Sequence, residues 1–268
     1  MATPTVRAGL EPANPSPRFR RFFAWYSRRL FRKKFGAVRL APGSADAFER
    51  AAAHDGPVLF ALNHTSWWDP LLGLVLTEGF LADRPAWVPM ELDQLRKFAF
   101  MKRLGIFGID PDRPDAMGLL VSHALELVGA NPRAVIGITP QGTFADVRAP
   151  IRIRPGAAGI VAGCPGMLVL SVACEYTFWH EQKPDVFVRA RICEPPEPRT
   201  TPSWHRALTR AMRENQKGLA DLVMTRDERQ FDVWLGGGKG GAHPVYDAVQ
   251  RARGSDATIT PSERGDRR

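Results

Sequence analysis

A histidine and an aspartate separated by four residues, His64 and Asp69, lie in the stretch FALNHTSWWDP at positions 60–70. A neutral imidazole can take a proton from a hydroxyl when its other ring nitrogen donates to a carboxylate. The carboxylate fixes the tautomer and stabilises the imidazolium that forms. On one continuous helix, residues five apart point about 140° away from each other, so the pair needs a turn between its members. The flanks supply one. PVLFAL (57–62) is a short apolar run of strand type, and DPLLGLVL (69–76) opens with Asp-Pro, which predicts Asp69 as a helix N-cap with Pro70 in the first helical position. No serine or cysteine nucleophile is required by such a pair, because a deprotonated substrate hydroxyl can itself attack an acyl thioester.

Around that turn the chain alternates strand and helix patterns. Strands are expected at PAWVPM (85–90), RAVIGITP (133–140), MLVLSVACEY (167–176) and DVFVRARI (185–192). Helices are expected through 70–80, ELDQLRKFAFMKRLG (91–105), DAMGLLVSHALELVGANP (115–132) and PSWHRALTRAMRENQKGLADLVMT (202–225). This alternation predicts an α/β fold, a mixed and largely parallel sheet flanked by helices, with an N-terminal amphipathic helix before it. The organisation read from composition is a disordered N-terminus over 1–16, a basic amphipathic helix over 17–45, one folded domain over 46–235 and a Gly-rich flexible tail over 236–268.

The amphipathic segment PRFRRFFAWYSRRLFRKKFGAVRL brings Phe19, Phe22, Phe23, Tyr26 and Leu30 near one face, opposed by Arg18, Arg21, Arg28, Arg29, Arg32, Lys33 and Lys34. An aromatic face against a dense basic face suits an anionic bilayer surface. The whole chain of 268 residues carries a formal charge of +9, which points to an anionic partner. No nucleic-acid module is recognisable, so nucleic acid is not expected as that partner. No apolar run reaches the ~18 residues of a membrane span, and the first residues lack the apolar segment of a signal peptide. Cys164, Cys174 and Cys193 follow no metal-ligand spacing, so no metal is expected and the thiols fit a reducing compartment. The expected location is therefore cytoplasmic, peripheral on the inner face of the cell membrane.

NHTSWWDP resembles the first signature block of the glycerolipid acyltransferases, the family of lysophosphatidate and glycerol-3-phosphate acyltransferases. LGIFGIDPD (104–112) resembles the second block, ITPQGTF (138–144) the third, and MLVLSVACEY sits where the fourth falls, so that the likeness runs over about residues 45–195. The resemblance implies His64 as general base and Asp69 as its partner. It implies substrate contacts from Asn63, from Gly105, Phe107 and Asp110 of the second block, and from Gln141, Gly142 and Thr143 of the third. Three positions depart from the family pattern. Gln141 replaces the usual glutamate, Pro111 stands where an arginine commonly follows Asp110, with Arg113 two places on as its substitute, and Ser171 replaces the fourth-block proline. The arginines Arg148, Arg152 and Arg154, just past the third block, fit phosphate recognition by their chemistry.

The function expected is transfer of a fatty acyl group from acyl-CoA or acyl carrier protein, as a co-substrate rather than a resident cofactor, to a hydroxyl of a lysophospholipid-type acceptor. Two alternatives stand beside it: acylation of a non-phospholipid hydroxyl such as a glycosylated or isoprenoid lipid, and a catalytically silent protein that binds membrane lipid.

Overall fold

Five consecutive apolar residues, Val58–Leu62, form strand β3, and every one of them is buried. A strand reads this way when it lies inside a parallel sheet with both faces covered. In the computed structural model, which describes residues 8–179 and 181–236, β3 pairs in parallel on one side with β6 (Val135–Ile138) and on the other with β7 (Leu168–Thr177). The remaining strands are β1 (Leu10–Glu11), β2 (Ala37–Leu40), β4 (Ala86–Glu91), β5 (Ile106–Ile109), β8 (Asp185–Cys193) and β9 (Asp232–Gly236). They complete one nine-stranded sheet in the order β1-β5-β4-β6-β3-β7-β8-β2-β9. Five of its eight pairings are parallel, and β1, β8 and β9 supply the antiparallel ones.

Successive residues of a strand point to opposite faces, and here each face has its own core. Leu59 and Ala61 of β3 join a cluster with Ala124, Val128, Ile160, Trp204 and Leu208, contributed by α5 (Ala116–Ala130), α6 (Gly156–Ala162) and α7 (Thr201–Met224). Val58, Phe60 and Leu62 join Phe31, Phe48, Leu72 and Val75 from α1 (Pro17–Lys34), α2 (Ser44–Ala53) and α3 (Asp69–Phe80). The α/β sandwich read from the alternation is therefore present. No helix among the described residues is long and apolar enough to cross a membrane.

Several boundaries differ from those expected. Residues 8–16 are not a loose lead-in: Leu10 is buried and pairs with Ile109 of β5, and Asn14 and Ser16 donate backbone N–H groups to the carbonyls of Lys102 and Arg103. The N-terminal helix ends at Lys34 rather than continuing to 45, because the apolar run AVRL becomes β2, wedged between β8 and β9. The expected helix over 91–105 divides into α4 (Leu92–Lys97) and a 3-10 segment, Ala99–Leu104, ending at Gly105 with φ +93. The tail expected over 236–268 lies outside the described residues after Gly236.

α1 is fastened to the domain rather than appended to it. Its inward face is Arg20, Ala24, Ser27 and Phe31, spaced as one helical stripe. Small residues let it approach α3, and Arg20 forms a buried ion pair with Glu78 of that helix at 2.7 Å while donating to the carbonyl of Arg84.

Candidate active site

The chain leaves β3 at Leu62 and must reverse before α3 can pack back on the sheet. Asn63 guides the first step. Its side chain accepts from the backbone N–H of Cys174 at 2.7 Å and donates to that residue's carbonyl at 3.0 Å, extending β3 along β7 by one side-chain pair. Asn63 is buried and committed to this pairing. It is a structural clamp beneath the site and offers no group to a substrate.

His64 comes next, and its imidazole lies 2.9 Å from Asp69, Nδ1 to Oδ2. A carboxylate only accepts, so the neutral ring carries its proton on Nδ1 and turns an unprotonated Nε2 outward. The His64 side chain keeps 17% of its exposure and Asp69 keeps none. Nε2 has no hydrogen-bond partner among the described residues, which leaves it open to an incoming hydroxyl.

Asp69 does not occupy the N-cap predicted for it. The helix starts at Asp69 itself, with Trp68 as the cap residue and Pro70 in the first turn. The reason is visible in the carboxylate, which reaches backward across the turn instead of forward into the helix. Oδ2 accepts from the backbone N–H groups of Thr65 at 2.7 Å and Ser66 at 2.8 Å, in addition to His64. Oδ1 accepts from the hydroxyl of Tyr176 at 2.8 Å and, at 3.5 Å, from the thiol of Cys174. Burial pushes both the Tyr176 phenol and the Cys174 thiol well above their ordinary values, and the neighbouring Asp69 charge adds to that, so both stay protonated donors.

The third block closes over this turn from β6. Gln141 accepts the backbone N–H of His64 through Oε1 at 2.8 Å, and Ala145 donates its N–H to the carbonyl of His64. The expected substrate contact of Gln141 is thus an intramolecular brace, one that a glutamate could also make. Gly142 takes φ +72, and the Arg154 guanidinium packs where a side chain would stand, 2.8 Å from an ideal Cβ. Thr143 is exposed, and Phe144 sets its ring against that of His64, tilted by 37° with centroids 4.2 Å apart. Phe144, 58% exposed, flanks the histidine with apolar surface, and Trp67, 69% exposed, meets Trp68 at 5.8 Å.

The second-block residues are distributed along β5, three strands away from β3. Phe107 is fully buried against His123, and Gly105 sits at the start of β5, opposite to the strand end that carries the His64–Asp69 turn. Neither reaches the site. Asp110 follows the C-terminal end of β5, on the same edge of the parallel strands as His64, and its carboxylate accepts the N–H of Asp112. Arg113 is bound bidentately by Asp115 at 2.8 and 3.0 Å, and this contact raises its already high value further. Arg148 is held the same way by Asp146. Arg152 and Arg154 are exposed and form no ion pair with a described residue. They are the two arginines after the third block whose charge remains available.

Sequence reasoning missed Tyr176, Cys174 and Phe144. The signal for the first two was present, since positions 174 and 176 share one face of β7, but nothing in the sequence shows that this face lies under Asp69. Among the described residues no group of three or more His, Cys, Asp and Glu side chains is gathered as a metal site.

Residues 46–175 match the family model described as Acyltransferase, a span that contains His64, Asp69 and the brace at Gln141. Comparison with curated proteins gives no match.

Proposed function

Because residues 46–175 belong to the acyltransferase family, we propose that the protein moves a fatty acyl group from a thioester of coenzyme A or acyl carrier protein to a hydroxyl of a lysophospholipid-type acceptor. The observation that carries this reading is the 2.9 Å contact between His64 Nδ1 and Asp69 Oδ2, with Nε2 left open. His64 takes the acceptor's hydroxyl proton, and the oxygen attacks the thioester carbonyl to form a C–O bond. The tetrahedral oxyanion collapses, the C–S bond breaks, and the imidazolium returns its proton to the departing thiolate. Asp69 remains ionised throughout and stabilises the imidazolium. The N–H groups of Thr143 and Phe144, without acceptors among the described residues, are candidates to stabilise the oxyanion. Arg152 and Arg154 are the cations for a phosphate on either substrate.

Acceptor chemistry divides two versions of this reading. The positions from which a phosphate-binding arginine was expected in the second block give only Arg113, already paired with Asp115, and this favours acceptors other than lysophosphatidate. The distinguishing experiment offers wild-type protein mixed acyl-CoAs and acyl carrier protein thioesters with lysophosphatidate, other lysophospholipids and a total lipid extract, and reads products by mass spectrometry. Acylated lysophospholipid supports the first version. Acylation confined to glycosylated or isoprenoid hydroxyls supports the second, and no product with either carrier defeats both.

We also propose that the protein works on an anionic membrane surface. Phe22 and Trp25 of α1 are more than half exposed, and Phe19 and Phe23 meet Phe100 from the 3-10 segment at 6.5 and 5.7 Å. Arg18, Arg21, Arg29, Arg32, Lys33 and Lys34 are exposed on the same helix. Aromatic rings within a basic surround match an anionic headgroup layer.

A further inference from the structure

We propose that Tyr176 is a positioning residue for the catalytic pair, its hydroxyl holding Asp69 Oδ1 so that Oδ2 alone is presented to His64. The proposal rests on the acyl-transfer reading above, and Tyr176 lies one residue beyond the family-matched span.

Asp69 is completely buried, so each of its oxygens needs donors from the protein. The two oxygens are divided by role. Oδ2 serves the turn and the histidine, through Thr65 N–H, Ser66 N–H and His64 Nδ1. Oδ1 faces β7, where the 2.8 Å bond from Tyr176 is the strong contact and the 3.5 Å approach of the Cys174 thiol is a weak one. Without the phenol, Oδ1 would keep only that weak donor, and the carboxylate would be held from the Oδ2 side alone. Tyr176 is itself fixed by the pleat of β7 and by Phe35, whose ring centroid is 5.7 Å from its own. Phe35 also meets Trp68, inside the His64–Asp69 turn, edge to face at 5.0 Å. The hydroxyl therefore sits on a rigid strand, braced by an aromatic neighbour that also grips the turn, as a fixed donor should. Burial keeps the phenol protonated well past neutral pH.

A donated hydrogen bond also withdraws negative charge from the carboxylate. The titratable groups bonded to Asp69 are His64, Tyr176 and Cys174, so removing the Tyr176 donor leaves more charge facing the imidazolium and favours it. The test is Tyr176→Phe in the full chain, which keeps the ring and deletes the donor. The His64 titration is followed by proton–carbon NMR, its resonance identified by its disappearance in His64→Ala. We expect the midpoint to rise by roughly half a pH unit. In turnover we expect kcat to fall about 10- to 100-fold with KM for the thioester unchanged. The acid limb of the kcat/KM profile should move to higher pH.

Replacing Tyr176 with 3,5-difluorotyrosine, a stronger donor in the same ring, should shift the titration the opposite way, and this arm stands even if Tyr176→Phe does not fold. An unmoved His64 titration in the folded variants, whatever their thermal midpoints, overturns the proposal and leaves Tyr176 as packing. Because the titration needs no turnover, the two readings separate. A wild type that transfers no acyl group while His64 responds as expected defeats the acyl-transfer reading alone, and active protein with an unresponsive His64 defeats the positioning role alone.

Discussion

Asp69 accepts from five donors, and only one of them is His64, the proposed base. The other four explain why the residue must be a carboxylate held in one orientation. Its two oxygens satisfy two backbone N–H groups of a tight turn, a phenol and a thiol, all in a place that water does not reach. Asp69→Asn replaces one accepting oxygen with an NH2 that meets donors wherever it points. The expected result is a loss of about 10³- to 10⁴-fold in kcat, together with a lower unfolding midpoint, because the turn loses an acceptor for buried N–H groups. Kinetics paired with thermal denaturation check this. A variant that kept wild-type kcat would remove Asp69 from the chemistry, and one that lost activity without losing stability would deny its role in the turn.

At the scale of elements, the strand-turn-helix unit is legible in the residues alone. PVLFAL has the pattern of a doubly covered strand and Asp-Pro that of a helix start, so the His–Asp pair falls on the turn between them. Residue patterns do not show which strands are neighbours. β5 follows β4 in the chain and pairs with it, yet it lies three strands from β3, which is why Gly105 and Phe107, expected as substrate contacts, stand away from the site. Gly105 has a different task. It takes φ +93, and a Cβ there would stand 2.2 Å from the carbonyl oxygen of Ala86, against backbone that cannot give way. Gly105→Ala should therefore destabilise the fold by roughly 2 kcal/mol or more, while each folded molecule keeps its activity. Denaturant unfolding alongside the specific activity of the folded fraction measures both. Unaltered stability with impaired KM would restore Gly105 to the substrate site. Asn63 departs from expectation for a similar reason: a polar residue beside a catalytic histidine suggests a ligand, and only the register of β3 on β7 shows that it completes a strand pairing.

At the scale of the molecule, the His64–Asp69 turn and the aromatic-basic helix adjoin. Trp68 packs on Phe31 and Phe35 at the end of α1, with centroids 5.6 and 5.0 Å away, and exposed Trp67 meets Trp68 edge to face at 5.8 Å. The helix is legible in the sequence as amphipathic, but its partner segment is not. Phe100 lies in the 3-10 segment that replaces the regular helix expected there, and it stands half-exposed against Phe19 and Phe23 of α1. A protein seated on this surface would meet a lipid acceptor at the bilayer rather than from solution. Replacing both Phe22 and Trp25 with serine should release the protein from anionic vesicles, and wild-type binding should weaken as salt screens the basic rim. Sedimentation with vesicles of phosphatidylglycerol and with neutral vesicles reads this directly, and equal pelleting of variant and wild type would place the docking surface elsewhere.

Everything above turns on whether His64 removes the proton from an acceptor hydroxyl. Acyl transfer from a labelled acyl thioester to the acceptor found for the wild type decides it, measured side by side with His64→Ala of matched circular dichroism and thermal midpoint. We expect product from the wild type and a loss of at least about 10²- to 10⁴-fold in the variant, with thioester binding retained. A His64→Ala protein that transfers acyl groups at the wild-type rate would contradict the role of His64 as the base.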